Sequence, residues 1–363
     1  MLARHVSTET DPGARGSEFG RRHAASVHGT IAAYERLFEE LHALKPGEIR
    51  AIGRRAGDAL DALHPDIVDE ILGIAAGAEA DEESLLALNA RTEIFAGAGP
   101  PECSAIGVLP QRSAGATTLA QNWDWHPGVA DSRILWTVIE PDGHRFTTLT
   151  EAGIVAKIGV NDHGLGLCLN ILASSRDGGV GGIPIHVLCR LILQRATGLN
   201  DALAILQSAD ATASSCFNVA HAGSKGSDMV SFELSPLGVR AIEPEQGVLL
   251  HTNHFLGRLD GAEDLDLRDW PDTVLRLREL EARVRNGPPR LDADFVKSAL
   301  RSHDAGRIAV CCHDEDNPRY ADRQATLASV YLRLDDAEME ITDGAPCVAA
   351  YRVVEETRAE APA

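Results

Sequence analysis

Apolar residues recur at three-and-four spacing through the first part of this chain and then give way to strand-like runs, and that change of period is its strongest constraint on fold. Ile31, Tyr34, Leu37, Phe38 and Leu41 would share one helical face, as would Ile67, Ile71, Leu72 and Ile74, so residues 19–93 read as mainly helical. Asp81-Glu82-Glu83-Ser84 places acids where the positive end of a helix favours them, predicting a helix start. The switch falls at Pro100-Pro101-Glu102-Cys103-Ser104. Beyond it, residues 105–108 and 118–124 read as a strand, a turn and a second strand.

Further along, residues 133–140 and 145–149 predict a hairpin about Asp142-Gly143, and residues 154–160 and 165–171 another around Asp162-His163-Gly164. Helices are expected over 185–197 (after Pro184), 201–207, 272–285 and 293–301. Strands are expected over 216–221, 229–234, 248–252, 326–334 and 339–342. Front helices, strands, central helices and more strands describe an α+β protein with antiparallel sheets covered by helices. Residues 355–363 read as a loose charged tail.

With 363 residues, 44% of them hydrophobic, the chain can bury a large core. Its 34 Lys and Arg against 54 Asp and Glu give a formal charge of -20, which disfavours nucleic-acid and anionic-membrane partners. Residues 1–8 lack the apolar core of a secretion signal, and no run approaches the length that spans a bilayer. The expected location is cytoplasmic.

Seven cysteines are odd in number, widely spread and never spaced Cys-x-x-Cys, so neither a disulfide framework nor a zinc knuckle is expected. Most lie in apolar runs, such as Cys168 in Leu165-Gly166-Leu167-Cys168-Leu169, where a small buried thiol needs no further role. Cys103 differs, because it follows a Pro-Pro-Glu break and is flanked by Glu102 and Ser104. A cut between Glu102 and Cys103 would give one residue both a thiol nucleophile and an α-amine to act as its base. The two groups have ordinary pKa values of about 8.5 and about 8, so a proton passes between them at little cost.

A series of short motifs runs in order along the chain: Gly16-Ser17-Glu18-Phe19-Gly20, Leu88-Asn89-Ala90-Arg91-Thr92-Glu93, Glu102-Cys103-Ser104 and Gln121-Asn122-Trp123-Asp124. Thr150-Glu151-Ala152-Gly153, Gly182-Ile183-Pro184, His251-Thr252-Asn253-His254 and Ala325-Thr326-Leu327-Ala328 continue it. Together, over residues 12–351, they resemble the isopenicillin-N acyltransferase family of self-processing cysteine peptidases. The resemblance implies the four-layer αββα fold of N-terminal-nucleophile hydrolases. It also implies a precursor cut into a helix-rich α-chain, residues 1–102, and a β-chain, residues 103–363, which together form one domain.

By the same resemblance, Cys103 is the nucleophile, Asp124 holds the new ammonium, and Asn253 donates its amide to the oxyanion of the tetrahedral intermediate. Arg323 stands for an active-site arginine that binds a substrate carboxylate or assists cleavage; a solvated pair with Asp322 is its ordinary alternative. His251 and His254 flank Asn253, but no third ligand is placed near them and the family uses no metal, so no metal or cofactor is expected. Two positions depart from the family: Glu102 stands where the acyltransferase has Gly, and Cys312 replaces a second arginine.

The expected activity is that of a cysteine amidohydrolase or acyltransferase acting on a small N-acyl amide or acyl thioester. Acyl-coenzyme A suits a chain at -20 less well than an N-acyl amide does. The competing reading is an uncleaved protein that uses the fold only for binding, and Glu102 is the residue that sustains it.

Overall fold

The computed structural model describes residues 2–98, 103–224 and 226–357. Glu102, and with it the proposed cleavage bond, lies outside them. The front of the chain is β1 (Ala3–Ser7) followed by α1 (Pro12–Arg22), α2 (Ala24–His42), α3 (Pro46–Asp61), α4 (Pro65–Ala78), α5 (Glu82–Asn89) and α6 (Arg91–Phe95). Proline at the first position of α1, α3 and α4 costs no hydrogen bond there. Asp81 caps α5 by accepting from the Ser84 amide, as its position predicts.

Glycine explains how α1 and α4 touch. A Cβ on Gly16 would lie 2.1 Å from the Glu70 carbonyl oxygen and one on Gly20 2.2 Å from that of Ile74, so only bare backbone fits. Behind this contact, Glu70 pairs with Arg15 of α1 (2.5 Å) and Arg190 (2.7 Å), all three buried.

From Cys103 the chain forms β2 (Cys103–Val108), β3 (Thr118–Trp125), β4 (Arg133–Ile139), β5 (Arg145–Glu151), β6 (Ile158–Asn161) and β7 (Leu165–Ile171). Next come α7 (Ile185–Arg195), α8 (Leu199–Gln207), β8 (Ser215–Gly223), β9 (Gly226–Ser235), β10 (Gly238–Ile242) and β11 (Val248–His251). The last part holds α9 (Leu265–Asp269), α10 (Asp272–Asn286), α11 (Ala293–Leu300), β12 (His313–Asp314), β13 (Gln324–Arg333), β14 (Glu338–Ile341) and β15 (Arg352–Val353).

One sheet runs β1-β4-β5-β6-β7-β8-β9-β10 and the other β11-β2-β3-β13-β14-β15, with β12 also on β13. β2 and β3 pack on β7, so the sheets lie face to face. α7 and α8 cover the outer face of the first sheet and α10 and α11 that of the second, which makes four αββα layers. Gln121 ties the sheets by bracketing Leu169: its amide donates to the Leu169 carbonyl (2.5 Å) and its oxygen accepts from the Leu169 N–H (3.0 Å).

The strand pairs are antiparallel except one: β1 lies parallel to β4, an element the sequence reading missed. Residues 154–157 are not strand; the Ile154 N–H turns back to the Glu151 carbonyl and only Ile158–Asn161 pairs. The expected loose tail is corrected for Glu355–Thr357, which forms a short helical turn whose Glu356 pairs with Arg4 at 2.9 Å and whose Thr357 is buried; its residues 358–363 lie outside the described residues. No helix among the described residues is long and apolar enough to cross a membrane.

Candidate active site

Cys103 opens β2 in the middle of the second sheet and is 5% exposed. Trp123 of β3 faces it in the ladder. Its carbonyl accepts from the Asn170 side-chain amide (3.0 Å) and from Arg276 Nη1 (2.8 Å), so two donors fix the residue from opposite layers. Its main-chain nitrogen donates to Asn253 Oδ1 at 2.7 Å. The sulfur lies 4.0 Å from the Asp124 carbonyl oxygen.

Asp124 is buried, 1% exposed. Its Oδ1 accepts from Thr326 Oγ1 at 2.5 Å, while Oδ2 has no hydrogen-bond partner among the described residues. Burial pushes the carboxyl up to about 7 despite Thr326 and Arg276. Burial and the Asp124 charge push the Cys103 thiol up to about 12. A thiol raised in this way stays protonated at neutral pH and needs an adjacent base to react.

Asn253 sits just past β11, its own N–H held by Thr273 Oγ1 (2.8 Å). Oδ1 takes the Cys103 nitrogen and Arg276 Nη2 (3.1 Å), and Nδ2 donates one hydrogen to the Ile171 carbonyl (2.9 Å). The second Nδ2 hydrogen has no acceptor among the described residues. His251 Nε2 donates to Glu233 Oε1 at 3.0 Å and His254 meets Thr273, so both flanking rings have structural partners. Burial opposes charge on His251, but Cys216 and Glu233 outweigh it and hold the ring up at about 10.

The sequence reading missed Arg276. This fully buried arginine of α10 bridges the Cys103 carbonyl, Ser104 Oγ (3.3 Å) and Asn253 Oδ1, with Asp272 3.6 Å from its Nε. A signal for it existed: Thr273, Arg276, Leu277 and Leu280 share the buried stripe of the helix, where a charge needs a purpose.

Arg323 makes no hydrogen bond to Cys103, Asp124 or Asn253. Its Nε donates to the Asn317 carbonyl (3.0 Å), and its guanidinium lies 5.6 Å from the Tyr320 ring centre. Asp322 pairs with Arg319 instead. Arg323 borders a small hollow with Phe95, Ala98 and Trp125.

Those three residues also line a narrow crevice, with a cavity volume of only about 20 Å³, together with Arg91, Ile171 and Asp266. None of Cys103, Asp124 and Asn253 lines it, but Trp125 is the chain neighbour of Asp124 and the Ile171 carbonyl accepts from Asn253. Arg91, 2% exposed, lies over the rings of Trp125 (4.7 Å) and Tyr34 (5.2 Å). Tyr34 in turn donates to Glu151 (2.5 Å), and Glu151 pairs with buried Lys157, whose Nζ stands 4.0 Å over the Trp123 ring. A larger, open groove of about 480 Å³ over β11 and α10, lined by Leu250, Leu277 and Arg285, touches none of Cys103, Asp124 and Asn253.

A family model described as acyl-coenzyme A:6-aminopenicillanic acid acyl-transferase matches residues 111–347. The chain is 27% identical over 282 residues to the 40 kDa form of acyl-coenzyme A:6-aminopenicillanic-acid-acyltransferase of Emericella nidulans, covering 76% of each protein. Among solved structures it is similar to a Caenorhabditis elegans ortholog of N-acylethanolamine-hydrolyzing acid amidase, with TM-score 0.44, 16% identity, 64% of this chain and 93% of that one. Penicillin V acylase from Agrobacterium tumefaciens gives TM-score 0.43, 14% identity, 66% of this chain and 83% of that one.

Proposed function

The chain belongs to the acyl-coenzyme A:6-aminopenicillanic acid acyl-transferase family, and from that premise we propose a self-cleaving cysteine amidohydrolase or acyltransferase that works through an acyl-enzyme on Cys103. The observation that carries this reading is the set of groups about Cys103: Asn253 Oδ1 2.7 Å from its nitrogen, Arg276 on its carbonyl and on Asn253 Oδ1, and buried Asp124, whose Oδ2 has no hydrogen-bond partner among the described residues. An ordinary strand residue has no need of such surroundings. A nitrogen destined to become an ammonium does.

In the proposed maturation, the Cys103 sulfur attacks the Glu102 carbonyl, the acyl group moves from nitrogen to sulfur and so frees the α-amine, and water then hydrolyses the thioester, releasing the Glu102 carboxylate and the Cys103 thiol. That amine then takes the thiol proton, and the thiolate attacks the substrate carbonyl. The free Nδ2 hydrogen of Asn253 donates to the resulting oxyanion. Collapse expels the substrate amine, which carries off the proton, and leaves a thioester for water or an acceptor amine. Asp124 orients the ammonium, and Arg323, at the neighbouring hollow that shares Phe95, Ala98 and Trp125 with the crevice, binds a substrate carboxylate. Phe95, Trp125 and Ile171 give the crevice an apolar wall for the acyl group.

The test is to incubate purified protein with N-acyl amino acids, acyl amides and acyl-coenzyme A, quench in acid, and search by mass spectrometry for an acylated peptide beginning at Cys103. The adduct is expected in the parent protein and absent from Cys103→Ala, which should be inactive. Normal turnover by Cys103→Ala would sink the assignment.

A further inference from the structure

The fold brings together four soft ligands that the sequence keeps apart. Side-chain donor atoms of His303, Cys311, His313 and Cys347 all lie within 4.8 Å of one another. His313 Nε2 is 3.6 Å from Cys311 Sγ and 3.3 Å from Cys347 Sγ. Zn–S bonds of about 2.3 Å and Zn–N bonds of about 2.0 Å in a tetrahedron place such atoms roughly 3.6 Å apart. Hydrogen bonding alone serves the cluster poorly, because one imidazole nitrogen has a single hydrogen or a single lone pair to offer two sulfurs. We propose that His303, Cys311, His313 and Cys347 form a structural zinc site.

The surroundings suit that role. Glu315 lies 3.8 Å from His313 Nδ1, where it favours the tautomer that turns an Nε2 lone pair on the ion. Three segments converge: the loop after α11, where the Cys311 N–H donates to the Ser302 carbonyl, β12, and the turn after β14, where Arg301 Nε donates to the Pro346 carbonyl. Cys311 is buried and His303 exposed, so the ion would sit at the edge of the protein with an entry path. Binding would release the two thiol protons and leave a neutral Zn²⁺–dithiolate centre, with no charge to bury.

The clamp would reach the active site. Between two ligands, Cys312 donates its N–H to Thr326 Oγ1 (2.8 Å) and accepts the Thr326 N–H (3.1 Å), and the same Thr326 hydroxyl donates to Asp124. Zinc would therefore fix the backbone that orients Asp124 without touching substrate.

The test is metal analysis of the reduced, purified full chain, followed by chelation and titration with zinc(II) or cobalt(II) alone. About one zinc per chain is expected, together with thiolate-to-cobalt charge-transfer absorption on reconstitution. Cys311→Ser and Cys347→Ser should each lower metal affinity at least about 100-fold, since even outer-shell losses cost 10- to 100-fold. His303→Ala, at an exposed position, tests the site where a cysteine variant fails to fold, and should weaken binding at least about 10-fold. Cys168→Ser should bind as the parent does. No metal and no charge-transfer band, a Cys311–Cys347 disulfide in their place, or unchanged binding by His303→Ala would overturn the proposal.

Discussion

At the scale of single residues, Asp124 and Arg276 carry the most testable consequences. Burial lifts the Asp124 carboxyl from 3.8 to about 7, so the uncut folded chain holds this proton more tightly than the unfolded one. Its contribution to stability is complete below about 4 and is lost as pH rises towards 7. In a Cys103→Ala background, Asp124→Asn should remove a pH dependence on the order of 1 to 4 kcal/mol, at about 1.4 kcal/mol per pKa unit. Urea unfolding from pH 4 to 8 checks this, and equal slopes in the two proteins would contradict it. Arg276→Lys keeps the charge but cannot span the Cys103 carbonyl and Asn253 Oδ1. Losing one charge-assisted bond worth about 1.5 to 3 kcal/mol should slow self-cleavage roughly 10- to 100-fold, read from a gel time course. Cys103 stood out at a break in the pattern, whereas Asp124, inside β3, and Asn253, just past β11, were reached through the resemblance of their motifs to the family. Arg276 was legible only as a charge on an apolar helix stripe; what it binds depends on packing against a residue 173 positions away.

Among the elements, the motifs that stood out in sequence turn out to serve packing as much as chemistry. Gly16 and Gly20 let α1 lie on α4, Glu151 anchors Tyr34 and Lys157, and Glu93 accepts from the Ile185 N–H at the start of α7. Glu70 joins α1, α4 and α7 through Arg15 and Arg190. Replacing it strands two buried guanidiniums, so Glu70→Ala should cost about 3 to 5 kcal/mol, measured by denaturant unfolding. A loss below about 1 kcal/mol would show that the pair is not working as a buried ion pair. Helix starts and hairpins were legible because caps and turn residues act locally, as at Asp81 and Gly143 (φ +90°). β1 was not, because its pairing with β4 spans more than a hundred residues and its short edge carries no alternating pattern.

For the whole molecule, period and composition were enough for an α+β protein with helices over antiparallel sheets, while the pairing of the two sheets needed contacts that no local pattern encodes. The zinc cluster was hidden for the same reason, since Cys347 joins His313 across 34 positions. The segments on either side of Cys103 share one core, in which Phe19, Ile71 and Leu88 pack with Leu149, Leu188 and Phe217. β1 is also laced into the first sheet. A cut before Cys103 should therefore leave the two pieces associated under native conditions. Intact-mass analysis of the purified protein in denaturant, with Cys103→Ala beside it, tests the central claim most directly. The account predicts polypeptides of residues 1–102 and 103–363 from the parent and one uncut chain from the variant; a parent that stays full-length on long incubation would contradict it.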